Sequence, residues 1–481
     1  MNIQISTQFV KRILSAHSGI GLAVSVLMYV VCITGTFAVF YHDFERWEQP
    51  QVEEFTSLSP AAMLRAQQEF NARVDSDKSL YIVLPTHEQP RSHISTGDDE
   101  FWVNQDGSLG EAVNAQWTHL LTQLHVHLLI PGQAGLIVVG LLGVMLTALV
   151  ISGVLAHPRI FKDAFRFRWG GSGQQQQIDL HNRLSIWALP FHLMFAVTGA
   201  FFGLVGLLIL LATSAFYDGD QSALIDDVYG TDPVIEHSAK EVNFEQAFTH
   251  LNEFAPTVTP IYAVIQEPGT EQQYLEIAAA VDGRFIYSEI YRFESDGSMI
   301  NHQGFSDGPT ARQVAYSVYR IHFGHFSGYA VKILYFVLGL ALTVVCVSGI
   351  HIWLNKKPRR HWMNLVWPGF LWGVPLALVV SAGVSLVWSG ATVTSFLVVQ
   401  FIAVVASSMI KNRMRANVLL VDCLSASMVL VMAMYMGLYP HFLLTSAALT
   451  GNFLLMLCFV FCLWLRSLYT KRLMIEVPHF T

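Results

Sequence analysis

The sequence predicts an all-α polytopic membrane protein of about eight transmembrane helices, with two small outer α+β domains and an internal parallel duplication. Three observations predict this class. The 481-residue chain is 53% apolar and only 13% charged, and its mean hydropathy is +0.44. It contains several apolar stretches of the ~20 residues that cross ~30 Å of hydrocarbon. Its histidines and glycines recur at matched spacings in two parts of the chain.

Hydropathy and charge placement predict the topology. The eight predicted spans are centred near Val26, Leu142, Phe202, Leu338, Val379, Val399, Leu430 and Leu457. Clusters of Lys and Arg, such as Lys11-Arg12 and Lys356-Lys357, lie on one side of the spans, and the positive-inside rule makes that side cytoplasmic. We therefore expect a multi-pass protein of a bacterial inner membrane with both termini in the cytoplasm. The net charge of −7 belongs mainly to two long outer segments and argues against nucleic-acid binding.

The predicted segments follow in order along the chain. They are TM1 in 1–40, a first outer domain in 41–118, an interfacial helix with TM2 in 119–157, a cytoplasmic loop in 158–180, TM3 in 181–214, a second outer domain in 215–319, an interfacial segment with TM4 in 320–355, and a C-terminal four-helix membrane extension in 356–481.

Each outer domain reads as a helix followed by an antiparallel sheet. Helices are predicted in 60–70 and 243–252, before strands that alternate apolar and polar residues. The dipeptides Asp106-Gly107 and Asp296-Gly297 predict equivalent hairpin turns.

Matched histidine spacings indicate the duplication. His17 precedes Gly35 by 18 residues, and His181 precedes Gly199 by the same number. A second set behaves similarly, because His125 precedes Gly153 by 28 residues and His322 precedes Gly349 by 27. Each repeat therefore places one histidine at each side of the membrane.

These histidines form two predicted pairs. We name His17 with His181 the inner pair, and His125 with His322 the outer pair. Each pair lies at one depth, so each can supply the two axial imidazoles of one haem b. The sequence thus predicts two haem b groups and transmembrane electron transfer.

The paired glycines are predicted to lie close to the haems. A helix rises about 1.5 Å per residue, which places Gly35 and Gly199 about 27 Å from the inner pair, beside the outer haem. Gly153 and Gly349 reach the inner haem by the same measure. Ordinary helix packing by small residues is the alternative reading.

Other residues are open candidates. His127 and His325 flank the outer pair and could replace its members, and His192 could serve as another axial ligand. Arg320 and Lys332 near the outer pair, and Arg183 near the inner pair, could bind haem propionates.

Four motifs carry a resemblance to a known family. They are His17-Ser18-Gly19 with Thr34-Gly35, Leu124-His125 with Leu128-Leu129, Asp179-Leu180-His181 with Leu189-Pro190 and Thr198-Gly199, and Ile321-His322-Phe323-Gly324 with Ser348-Gly349. Over about its first 355 residues the chain resembles the PepSY-associated transmembrane family, which includes bacterial iron-regulated membrane proteins and ferric-siderophore reductases. The outer domains would then be PepSY-like.

The resemblance implies a haem-containing inner-membrane reductase that delivers electrons to a periplasmic ferric siderophore or other ferric chelate. The sequence has no Rossmann fingerprint and no P-loop, so we expect a separate cytoplasmic reductase or a membrane quinol as the electron donor. Membrane lipid is the other expected partner. The alternative is a non-redox siderophore permease, or an accessory or sensor protein whose PepSY-like domains bind a peptide or protein.

Overall fold

The computed structural model describes residues 6–476 except 158–159, 164, 166–172, 232, 234, 236–240, 307–309 and 359. Part of the predicted cytoplasmic loop 158–180 therefore lies outside the described residues. The chain divides into two compact units. The first comprises Met1–Pro50, Ala115–Val205 and Lys332–Thr481, and the second comprises Gln51–Asn114 and Gly206–Val331.

Most of the described chain is helical. The helices are α1 Thr7–Ala38, α2 Tyr41–Glu48, α3 Pro60–Arg73, α4 Gln116–Val126, α5 Gln133–Ala156, α6 Ile160–Asp163, α7 Gly173–Trp187, α8 Leu189–Phe216, α9 Gln221–Tyr229, α10 Phe244–Phe254, α11 Thr310–Phe323, α12 Gly328–Leu354, α13 Trp362–Leu371, α14 Gly373–Val387, α15 Thr392–Ile410, α16 Arg413–Leu438 and α17 Ser446–Glu476.

Eight helical segments among the described residues are long and apolar enough to cross a membrane, as the sequence predicts. They are α1, α5, α8, α12, α13 with α14, α15 with the short 3₁₀ turn Ser389–Ala391, α16 and α17. The protein is therefore a multi-pass membrane protein with a mostly helical fold.

The predicted start of TM3 at His181 is wrong. His181 lies on the separate helix α7, and the span itself begins at Leu189 on α8. Pro190 explains the break. A proline is tolerated in the first turn of a helix, where no N–H is needed, but its ring opposes helix in the residue before it.

The described residues of the second unit form one eight-stranded antiparallel sheet. Its strands are β1 Leu80–Val83, β2 Ser92–Ser95, β3 Glu100–Val103, β4 Leu109–Ala112, β5 Thr259–Gln266, β6 Tyr274–Ala280, β7 Glu289–Glu294 and β8 Met299–Gln303, in the spatial order β4-β3-β2-β1-β5-β6-β7-β8.

The sequence predicts two separate outer domains, but their strands join in this one sheet. β1 of the first segment pairs with β5 of the second, with Leu80 opposite Ile265 and Val83 opposite Tyr262. Two separate four-stranded sheets would each leave one of these strands as an open edge with unpaired backbone N–H and C=O groups. Their pairing removes both edges. The sheet also requires both segments to lie on the same side of the membrane, and the two spans between them, α5 and α8, allow this.

One apolar core supports the whole sheet. Met63 and Phe70 of α3 and Phe244 and Leu251 of α10 are buried against strand residues from both segments, including Ile82, Ile94, Ile265, Leu275, Ile277 and Phe293. The two helices therefore cover the same face of the sheet, each in the position that its amphipathic sequence predicts.

The predicted boundaries of the first outer domain, 41 and 118, also need correction. Helix α2 and the start of α4 belong to the first unit. The cause is aromatic packing: Trp47 stacks on Tyr435 of α16 with 4.8 Å between ring centroids, and Trp117 lies 6.1 Å from Trp47. Burial of these rings against membrane helices contributes more stability than the neighbouring polar residues lose by lying beside those helices.

The Asp-Gly hairpin turns allow a test of the sheet's packing. Gly107 has φ +86°, and an added Cβ would lie 2.2 Å from the carbonyl oxygen of Ala62. Gly97 has φ +89° with open space around it. We expect Gly97→Ala to lower the free energy of unfolding by about 1–2 kcal/mol, because alanine disfavours the left-handed backbone. Gly107→Ala should cost a further 1–3 kcal/mol, roughly, because α3 must move. Hydrogen exchange of the amides in β3 and β4 measures both variants, and equal protection in the two would contradict the expected clash.

Candidate functional site

The two histidines of the inner pair face each other within the first unit. His17 lies on α1 and His181 on α7, and both side chains are partly buried. Their ring centroids are 6.4 Å apart, and the ring planes are nearly perpendicular, at 85°. The structure therefore brings together the two residues that the sequence pairs.

Hydrogen bonding fixes the protonated nitrogen of His17. Its Nδ1 lies 3.0 Å from Oγ of Ser152, whose hydroxyl donates to the carbonyl oxygen of Leu149 at 3.2 Å. Because the hydroxyl proton is used in that bond, Oγ accepts from Nδ1–H. The lone pair of the neutral imidazole is then on Nε2.

His181 is held in the same way. Its Nδ1 lies 3.0 Å from the carbonyl oxygen of Val345 and 3.1 Å from Oγ of Ser348. A carbonyl oxygen can only accept, so Nδ1 carries the proton and Nε2 carries the lone pair. Metal-binding histidines typically donate their second ring N–H to a carbonyl or similar acceptor, which fixes the tautomer and the ring orientation.

Three of the predicted glycines lie against histidine rings. A Cβ on Gly153 would lie 3.3 Å from Cε1 of His17, and one on Gly349 would lie 3.4 Å from Cε1 of His181. A Cβ on Gly35 would lie only 2.4 Å from Cε1 of His125. The glycines therefore give room to the imidazoles themselves. The fourth, Gly199, lies on α8.

His125 is oriented by the backbone of α1. It lies on α4, and its Nδ1 is 2.9 Å from the carbonyl oxygen of Val31, so Nδ1 donates and Nε2 keeps the lone pair. Burial lowers the pKa of His125, which favours the neutral ring that a metal requires.

His322, the predicted partner of His125, lies on α11 in the second unit. The pairing of these two histidines stays a prediction. Arg320 on the same helix donates from Nε to the carbonyl oxygen of His325 at 2.8 Å and from Nη1 to that of Arg284 at 2.9 Å. These bonds fix the loop that follows α11. The contact of Arg320 with a haem propionate stays a prediction.

Among the alternative ligands, His192 most resembles His125. It is 2% exposed, and it hydrogen-bonds the backbone of Leu338 on α12. Its Nε2 is buried and has no hydrogen-bond partner within the described part of the chain. Nδ1 of His127 is also buried and has no hydrogen-bond partner among the described residues. The ring of His325 instead packs against aromatic rings of α11, 5.7 Å from that of Phe323.

Two of the predicted propionate partners, Arg183 and Lys332, are buried. Arg183 lies on α7 two residues after His181 and is 5% exposed. Nζ of Lys332 lies 3.8 Å from Oδ2 of Asp43. Nη1 of Arg46 lies 3.7 Å from Oδ1 of the same carboxylate, and all three residues are buried.

Glu48, which no sequence pattern predicts as functional, positions the helix that carries His125. The buried carboxylate accepts hydrogen bonds from the backbone N–H of Trp117 at 2.9 Å and of Thr118 at 2.8 Å. It also accepts from the hydroxyls of Thr118 at 2.7 Å and Ser385 at 2.8 Å. Burial raises the pKa of Glu48, although these bonds oppose the shift. No local motif marks the role, because α2, α4 and α14 meet only in the folded chain.

Glu48 replaces the missing cap of α4, since Ala115 at the N-cap has no capping side chain. We expect Glu48→Ala to cost about 2–4 kcal/mol and to expose the amides of α4 to exchange. Glu48→Gln keeps an acceptor oxygen and should cost less. Glu45→Ala on the same helix is the control, because the hydrogen bond between Nδ1 of His42 and the Glu45 carboxylate, at 3.3 Å, stays within α2. Hydrogen exchange of 116–126 that is unchanged in Glu48→Ala would contradict the capping role.

Comparisons with known proteins find one family model and one curated relative. The family model described as the PepSY-associated TM region matches residues 14–356, more than half of the chain. An uncharacterised protein of Pseudomonas aeruginosa is 26% identical over 250 residues, which cover 50% of this chain and 63% of that relative. The matched segment is thus less than two thirds of the relative's length.

Proposed function

The chain belongs to the PepSY-associated transmembrane family, and on that premise we propose that it is a haem-containing inner-membrane reductase. In this proposal, electrons cross the membrane through two haem b groups and reduce a ferric siderophore or another ferric chelate in the periplasm. A cytoplasmic reductase or a membrane quinol supplies the electrons. Both termini lie in the cytoplasm.

The geometry of His17 and His181 is the observation that supports the proposal most strongly. Two metal–nitrogen bonds of about 2 Å and two imidazole radii of about 1.1 Å place the ring centroids of two axial histidines roughly 6 Å apart. The 6.4 Å between these rings fits that arrangement. Both rings also keep the Nε2 lone pair, so the residues present fit a bis-histidine haem.

The surrounding residues determine how the ligands act. Ser152 and the Val345 carbonyl hold the two rings by Nδ1, which fixes their tautomers and limits their rotation. Gly153 and Gly349 leave space for the rings beside the helix backbones. Haem iron in such a site would alternate between the ferric and ferrous states and carry one electron at a time.

His125 is the proposed ligand for the second haem. His322 is its partner by the repeat, and His192 is the alternative because its buried Nε2 has no hydrogen-bond partner among the described residues. Lys332, a buried cation 3.8 Å from the carboxylate of Asp43, is the proposed partner of a propionate carboxylate.

An optical spectrum of the purified protein tests the proposal. A reduced-minus-oxidised signal of haem b at two haems per chain is expected, and a colourless protein from haem-replete cells would refute it. In oriented vesicles with reduced haems, a membrane-impermeant ferric chelate should reoxidise them only from the side of the two polar segments. Reoxidation only from the opposite side would contradict the proposed direction.

The non-redox alternative also has one observation in its favour. A polar pocket of about 590 Å³ lies in the second unit, lined by residues that include Glu267, Tyr274, Glu276 and Arg292. Such a pocket could bind a hydrophilic ligand without electron transfer, as a permease accessory or sensor would. The spectrum separates the two functions, since only the reductase requires haem.

A further inference from the structure

A second pocket, of about 370 Å³, lies in the first unit where two membrane spans begin. Gly132 directly precedes α5, and Val393 lies in the first turn of α15, so the pocket opens at the membrane boundary. A lipid-soluble molecule can therefore reach it from the bilayer.

Two features of the segment beside the pocket are typical of a ligand site. The Nδ1 atom of His127 is buried and has no hydrogen-bond partner among the described residues. Leu128 and Leu129, which follow it, both have left-handed backbones with φ of 52° and 59°. Each such residue costs about 1–2 kcal/mol in an L-amino acid, and strained residues of this kind are concentrated at ligand sites.

The lining of the pocket describes the chemistry of that ligand. His119, Gln123 and His127 recur every four residues and form a polar stripe, and Leu120, Leu129 and Val393 supply the apolar walls. Among the described residues that line the pocket, none is acidic, lysine or arginine, which favours an uncharged ligand over a charged phospholipid head group.

The spacing within the stripe is also informative. Gln123 and His127 are four residues apart, one helical turn or about 6 Å. This separation is comparable with that of two oxygens on opposite sides of a six-membered ring. A flat ring with one oxygen at each end could bond both residues while its faces contact leucine and valine.

We propose that this pocket binds the head group of a lipid-soluble quinol, with Gln123 and His127 as hydrogen-bond partners of its two oxygens. The inference rests on the proposed function, because His125, two residues before His127, is the proposed haem ligand. Oxidation of the quinol to the quinone releases two electrons and two protons. The electrons would be accepted one at a time where His125 would hold a haem, and the two protons would pass to water at the membrane boundary. In this proposal, the site of the second haem would receive electrons both from the quinol and from the haem of the inner pair.

The test is direct binding of tritiated decylubiquinone to the full-length protein in nanodiscs, with empty nanodiscs as the blank. His127→Leu should weaken binding about ten-fold, the equivalent of one lost hydrogen bond. Val393→Trp fills the pocket from a different helix and should abolish binding. Leu397→Trp is the matched control, because it lies one turn further along α15 and is 52% exposed. It should bind as the wild type does.

The haem content of the same samples separates this inference from the proposed function. Haem without saturable quinone binding would overturn the pocket assignment alone. Quinone binding without haem would support the pocket and refute the reductase. Equal binding by the wild type and Val393→Trp, or displacement of the quinone by phosphatidylglycerol, would also overturn the assignment.

Discussion

Replacing His17 or His181 with alanine is expected to remove the haem of the inner pair and leave the other. Each variant lacks one of two axial ligands, and the remaining imidazole cannot by itself hold a six-coordinate haem. The pyridine haemochrome assay should therefore fall from two haems per chain to one. Redox titration should lose one component and retain the second.

The control for these variants is His157→Ala. His157 follows the end of α5, and its Nε2 lies 3.3 Å from the amide nitrogen of Asn182, so it already has a structural partner. It should keep both haems. Retention of both haems in His17→Ala and His181→Ala would show that the inner assignment is wrong.

The same assay distinguishes the candidates for the second haem. His125→Ala should lose this haem while the inner one remains. If His322→Ala also loses the second haem, His322 is the partner of His125. If His192→Ala loses it instead, His192 is the partner. If neither variant loses haem, a different residue is the ligand.

Gly35→Ala is expected to have nearly as large an effect as removing His125. The new Cβ would lie 2.4 Å from Cε1 of His125, a distance that no side chain tolerates, so the imidazole must move. A displaced ring would lose its bond to the Val31 carbonyl and its place at the metal. The second haem should be lost or spectrally altered, and the inner haem should remain.

Gly21→Ala is the matched control on α1. Its Cβ would meet only the Cδ2 atom of Leu149, at an ordinary 3.6 Å, so both haems should persist. Gly349→Leu should act in the opposite sense, because a longer side chain there presses on His181 and disturbs the inner haem. General helix packing predicts loss of both haems together in Gly35→Ala. That outcome would refute the specific role of the glycine.

The sequence brings His17 and His181 together as a pair because the information is periodic, and their ring centroids are 6.4 Å apart. Hydrophobic length locates the spans, and equal spacings bring His17 and His181 to one depth without any knowledge of side-chain contacts. The elements that were not predicted depend on pairing between distant residues. The β1–β5 junction and the bonds of Glu48 to α4 and Ser385 join segments whose separation in sequence carries no local signal.

The same limit explains the error at His181. Periodicity alone continues TM3 back to this histidine, but Pro190 interrupts the helix and leaves α7 as a separate element. The histidine is therefore carried by a short helix outside the span, and α12 fixes its ring through Val345 and Ser348.

The junction between β1 and β5 also constrains how the protein is made. Its partners are roughly 180 residues apart, so the first four strands leave the ribosome long before β5 is available. Until α5 and α8 have been inserted and β5 has been made, β1 is an unprotected edge that can pair with other chains. Biogenesis therefore has a vulnerable interval, whose length depends on membrane insertion, and a chaperone that shields β1 would be most useful during it.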